Sequence, residues 1–113
     1  MKREYIDYLK DIIAAIDNID GFVKGMSIEE FKEDEKTLFA VIRALEVIGE
    51  AAKKIPAAIK NKHKQIPWKE MAGMRDKLIH EYFGVNINVV WKTIKQDISA
   101  IKPLIKDLAD VIE

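Results

Sequence analysis

Cysteine is absent from the 113 residues. That removes a disulfide framework and a thiolate metal site together. No apolar run approaches the ~18–20 residues that a membrane span requires. The opening stretch, MKREYIDYLK, has no apolar signal core, so the chain is expected in the cytoplasm, with no membrane partner. A surplus of charge is missing too: 19 lysines and arginines balance 19 aspartates and glutamates. Stand-alone nucleic-acid binders usually carry a clear positive excess. A nucleic-acid role here therefore has to rest on a local basic cleft.

What is present is the composition of a folded chain. Half of the residues are apolar and a third are charged, which excludes disorder as the ground state. The length suits one domain with one core. Tyr5, Leu9, Ile12, Ile16 and Ile19 recur at helical spacing and predict a helix from about Lys2 to Lys24, with Gly25 as its stop. SIEE then offers a capping box, Ser27 with Glu30, for a short helix around Ile28–Lys32. Leu38, Val41, Leu45, Ile48, Ala52 and Ile55 draw one stripe on a second long helix from about Asp34 to Ile55. Pro56 interrupts it and suits the first position of a further short helix. Pro67 restarts the pattern, and Gly73 predicts a break or a close helix crossing. The next helix stops at Gly84, and Asn86 or Asn88 caps the last one. There Ile87, Trp91, Ile94, Ile98, Ile101, Ile105, Leu108 and Ile112 alternate four and three. The phase survives Pro103, which predicts a kink there rather than an end. No segment alternates with period two. The fold class is all-α: a bundle of three long helices plus short helices.

One stretch stands apart. MRDKLIHEYFG, from Met74 to Gly84, gathers Arg75, Asp76, His80 and Tyr82 within a few turns. The plain reading is structural: Arg75 pairs with a glutamate of the second long helix, His80 lies at the surface, and Tyr82 and Phe83 pack near a helix end. The other reading is chemical. Asp76 and His80 stand at i and i+4 and share a face. Arg75 and Tyr82, seven apart, also line up. His80 lies off Arg75's direct line, but the guanidinium is long and Gly73 and Gly84 loosen both flanks. Zinc proteolysis does not fit, because Gly84 stands where the second histidine of HExxH belongs. Ser27 and Ser99 sit in capping and helix contexts, a poor setting for a nucleophile. Metal-free cleavage of RNA does fit, and it needs no cofactor. The substrate brings its own nucleophile, the 2′-hydroxyl. A histidine with an ordinary pKa near ~6.5 moves the proton, and an arginine holds the phosphate.

RDKLIHEY also resembles the Rx4HxY motif of HEPN-domain proteins. More narrowly, the chain resembles the HepT-like toxins of HepT–MntA toxin–antitoxin systems. RALEVIGEAAKKIP (Arg43–Pro56), IPWKEMAGMRDKLIHEYFGVN (Ile66–Asn86) and VWKTIKQDI follow in the family's order, so the likeness covers nearly the whole chain. The resemblance implies a single HepT-like domain over residues 1–113, a helical bundle that forms homodimers. It implies a metal-independent endoribonuclease toxin acting on RNA and neutralised by a minimal, MntA-like nucleotidyltransferase antitoxin. Arg75 and His80 take the catalytic positions, and Tyr82 takes that of the tyrosine modified by the antitoxin. One position departs: relatives often have asparagine after the arginine, and here it is Asp76. Asp76 and the neutral overall charge leave a rival open, a non-catalytic HEPN module that binds a nucleotidyltransferase or a nucleotide.

Glu46 and Glu50 form a solvated charged face in one reading. In the other, Glu50 contacts Arg75 and supports the site. His63 sits at an exposed loop or helix end, or in a patch that meets RNA backbone. Trp68 and Trp91 read as core or dimer anchors, and Met71 and Met74 as packing.

Overall fold

The structure, a computed structural model, describes residues 4–81 and 86–112; the side chains of residues 75–81 and of Ile112 lie outside the described set. The helices are α1 (Tyr5–Phe22), α2 (Ile28–Glu33), α3 (Glu35–Lys53), α4 (Ala57–Lys62), α5 (Trp68–Glu81), α6 (Ile87–Lys92) and α7 (Ile98–Ile112). A π-helical turn, Thr93–Asp97, joins α6 to α7, so residues 87–112 form one continuous rod. No strand occurs among the described residues, and the fold is an all-α bundle. Helix α3 lies between α1 and α5, α1 also packs on α7, and α2 lies across α3 and α6.

The apolar stripes meet in one core. Leu9, Ile12, Ile16 and Ile19 of α1, Val41, Leu45 and Ile48 of α3, and Ile94, Ile98 and Ile105 of the last rod are nearly sealed from solvent. Burying each such side chain fully contributes about 1.5–3 kcal/mol. No polar or charged side chain is buried among the described residues, so apolar packing is what chiefly holds the bundle together.

Helix ends follow local chemistry. Ser27 and Glu30 make the full capping box, with the Glu30 N–H donating to Ser27 Oγ at 3.1 Å and the Ser27 N–H to Glu30 Oε1 at 3.0 Å. Asp34 serves two helices. Its N–H donates to the Phe31 carbonyl to end α2. Its carboxylate accepts the Thr37 N–H at 3.0 Å and the Thr37 hydroxyl at 2.7 Å to begin α3. These bonds, the backbone one first, hold the Asp34 carboxyl below its ordinary pKa. Asn86 caps α6 by accepting the Asn88 N–H at 3.1 Å. Gly25 has φ 74°, a left-handed conformation that glycine adopts without strain, in the turn after α1.

Two expectations change, and a third, that Pro103 does not end its helix, holds. Pro56 is the N-cap of α4 rather than its first helical residue; its carbonyl accepts from Ile59 and Lys60. Gly73 neither breaks α5 nor marks a close crossing: the helix runs through it, and a Cβ there would meet nothing within 4 Å. A helical glycine costs only about 1 kcal/mol against alanine, and the buried Trp68 and Met71 anchor this turn of α5. In the last rod, Pro103 lies inside α7 without ending it, and the irregular turn is Thr93–Asp97. Thr93 donates its hydroxyl to the Val89 carbonyl at 2.9 Å as that turn begins. Such i−4 bonding loosens the regular ladder. The expected stop at Gly84 lies outside the described residues.

Lys102 ties α7 to α1, reaching Asp17 at 2.8 Å and Asp20 at 3.3 Å. Hydrogen bonds to Asp17 and then Asp20 raise its pKa. No described helix is long and apolar enough to cross a membrane.

Candidate active site

Residues 74–81 of the segment singled out in the sequence are carried by α5, and the start of that helix is firmly set. Trp68 is buried and its indole N–H donates to the His63 carbonyl at 3.1 Å. The Met71 N–H reaches the Pro67 carbonyl at 3.0 Å, and Met71 is 1% exposed. His63 is thus the half-buried C-cap residue of α4 whose backbone anchors Trp68. Trp68 belongs to the core. Trp91 is half-buried, with its ring 5.1 Å from that of Phe31 and tilted by 43°.

Arg75, Asp76 and His80 all fall within the unbroken α5. At about 100° per residue, Asp76 and His80 stand about 40° apart around the helix axis. Arg75 and His80 stand about 140° apart, with about 7.5 Å of rise between them. The continuity of α5 at Gly73 corrects the expectation that this flank is loosened. Within one helix, the arginine and the histidine do not share a face. The contacts of their side chains, and Tyr82 altogether, lie outside the described residues.

The described residues of the neighbouring helices define two concavities, only one of which touches α5. Glu50 is exposed on α3, the helix that packs along α5, and it lines a shallow concavity with Tyr8, Arg43 and Lys54. The Glu50–Arg75 contact itself lies outside the described residues. Glu46 approaches Arg43 at 3.9 Å on a largely solvated face. The sequence reading missed a groove of about 550 Å³ between α5 and the last rod, walled by Met71, Gly73, Met74 and Ile101, with Thr93 and Asp97 opposite. The only sequence signal for it is a helix-interior glycine with no steric need to be one. No group of three or more histidines and carboxylates converges as a metal-ligand set among the described residues.

Comparison with known proteins places the chain in a family. The family described as ribonuclease HepT-like matches residues 12–108. The chain is 58% identical over 102 residues to a protein of Thermococcus cleftensis named "Probable ribonuclease HepT", covering 90% of this chain and 93% of the relative. It is 51% identical to a "Putative RNase" of Methanocaldococcus jannaschii, over 96% of this chain and 97% of that one. A "Putative RNase" of Caldanaerobacter subterraneus is 46% identical over 89% of this chain and 90% of its own. No solved structure matches the chain.

Proposed function

Because the chain belongs to the HepT-like ribonuclease family, we propose that it is a metal-independent endoribonuclease toxin acting as a homodimer. The observation that carries this reading is the likeness to the T. cleftensis protein along nearly the full length of both chains. The presence of Arg75 and His80 on one continuous helix supports it. His80 takes the proton of the RNA 2′-hydroxyl, and the freed oxygen attacks the adjacent phosphorus. The bond from phosphorus to the 5′-oxygen breaks, and that oxygen receives a proton from an acid on the opposite side. The products are a 2′,3′-cyclic phosphate and a 5′-hydroxyl. Arg75 holds the phosphate and offsets the charge that grows on its oxygens. Asp76, close to His80 in register, orients the imidazole, and Glu50 of α3 orients Arg75.

Geometry on α5 supports the homodimer. One imidazole does not serve both sides of an in-line displacement, and Arg75 stands about 140° from His80 around the axis. Two copies related by a twofold axis supply a base, an acid and two arginines to one cleft. Purified protein incubated with RNA in excess chelator is expected to cut and to leave 2′,3′-cyclic ends. Activity that appears only with added divalent ion would overturn this mechanism. Persistent absence of cleavage under every condition favours the rival, a binding module for a nucleotidyltransferase or nucleotide.

Regulation is assigned to Tyr82 through a minimal nucleotidyltransferase antitoxin. A nucleotide on its hydroxyl adds a negative phosphodiester and a bulky base two residues past His80. Tyr82→Phe is expected to fold, to cut RNA, and to escape silencing by the cognate nucleotidyltransferase with ATP. Intact mass after that incubation is the measurement. Equal nucleotide gain and equal silencing of the variant would place the modification elsewhere.

A further inference from the structure

The neutral net charge conceals a strong asymmetry. Residues 51–69, AAKKIPAAIKNKHKQIPWK, hold six lysines and no carboxylate. Of 19 basic residues, that leaves 13 elsewhere against all 19 acidic ones, a net of −6 for the rest of the chain. The basic stretch is the end of α3, all of α4 and the start of α5.

Helix α4 buries no residue fully, and among its side chains only the half-buried Ile59 rests against the core. Lys53, Lys62, Lys64 and Lys69 are exposed and Lys60 is half-buried. None of these five is paired with a carboxylate among the described residues. The backbone beneath them is nevertheless fixed. The Pro56 carbonyl accepts from both Ile59 and Lys60, and the Trp68 indole holds the His63 carbonyl. Uncompensated cations are thus displayed on an ordered backbone, and their mutual repulsion is not relieved within the chain.

We propose that the α4 end of the bundle is a docking surface for the phosphates of single-stranded RNA, distinct from the cleavage site. RNA as the occupant rests on the ribonuclease reading above, which this inference deepens. The surface feeds into the cleavage segment: Lys69 lies on the first turn of α5, about 9 Å of helix axis before Arg75. A polyanion crossing α4 therefore runs on toward the residues proposed to cut it. A lipid surface fits less well, because the exposed large apolar residues among those described, Phe22, Phe39 and Val111, lie on other elements and give α4 no anchor.

The test is the salt dependence of binding by the full chain carrying His80→Ala, which keeps the RNA intact. The probe is a single-stranded RNA oligonucleotide. Adding Lys60→Glu, Lys62→Glu and Lys64→Glu is expected to weaken binding by about tenfold or more. The slope of log affinity against log salt should fall by about two, near 0.7 for each lost phosphate contact. Lys24→Glu, Lys32→Glu and Lys106→Glu together, all exposed and away from α4, are the matched charge control and should leave both unchanged. Unchanged affinity and slope in the triple variant overturn the proposal. So does selective binding of vesicles containing phosphatidylserine, lost in the triple variant, with no binding of RNA. The His80-intact chain separates this inference from the reading beneath it. Cleavage with an unchanged KM in the triple variant overturns the docking surface alone. Lysine-dependent RNA binding without any cleavage supports the surface and overturns the ribonuclease reading.

Discussion

His80→Ala is expected to slow RNA cleavage by about 10²–10⁴-fold, the usual contribution of a positioned proton-transfer group. Arg75→Ala should lose activity to a similar order, because it removes the charge that meets the developing phosphorane. Both variants should keep the helical fold. Among the described residues, the anchors of α5 are Trp68 and Met71, at the other end of the helix, and arginine and histidine yield to alanine at no cost in helix propensity. Circular dichroism checks the fold, single-turnover cleavage checks the rate, and sedimentation at micromolar concentration checks for a dimer. A loss below tenfold for His80→Ala would remove it from the proton transfer. The shared cleft adds a sharper consequence. Mixing His80→Ala with Arg75→Ala allows a mixed dimer in which each copy supplies what the other lacks, so partial activity should return. No recovery, or an active monomer, would sink the two-copy site.

Phe31→Ala should be the most damaging single change away from α5. Phe31 is fully buried, and it is the one core residue that α2 supplies. Its ring packs on Trp91 of α6. Truncating a buried phenylalanine costs about 3–5 kcal/mol through lost transfer energy and the cavity left behind. For a chain of this size the thermal midpoint should fall by roughly 10–20 °C. Phe31→Leu keeps most of the volume and should cost much less. Urea denaturation followed by tryptophan fluorescence tests both. A loss for Phe31→Ala under about 1 kcal/mol would mean that α2 adds little to the core.

Much of this fold was legible because its determinants are local. The stripe from Leu38 to Ile55 and the seam from Ile94 to Leu108 are buried as their spacing requires. Ser27 and Glu30 act as the capping box, and Asn86 as the cap, since each needs only its near neighbours. Gly73 misled because its intrinsic helix penalty is small beside the burial of Trp68 and Met71, a tertiary effect that no short window contains. The π turn at Thr93–Asp97 was invisible for another reason. The four-three alternation of apolar residues continues across it, so the pattern carries no mark of the widened turn. At the candidate site, residue types pointed to a chemistry, and the relatives place the chain in a ribonuclease family. The groove beside Gly73 and the relation of α4 to α5 depend on how distant helices meet, and spacing along the chain does not encode that.

The corner at Asp34 bears on configurational freedom. Glu33 ends α2 and Glu35 begins α3, so one residue forms the whole connection, and Thr37 already clamps it. Ordering a residue of flexible chain costs about 1–2 kcal/mol of backbone entropy. A long loop would also have to close before its helix could find a partner. Neither cost arises here to any extent. Once α3 has docked, α2 has few directions left to point, and Phe31 reaches Trp91 with little disorder to give up. The six-residue helix is too short to be stable alone, and it persists as a rigid extension of its neighbour.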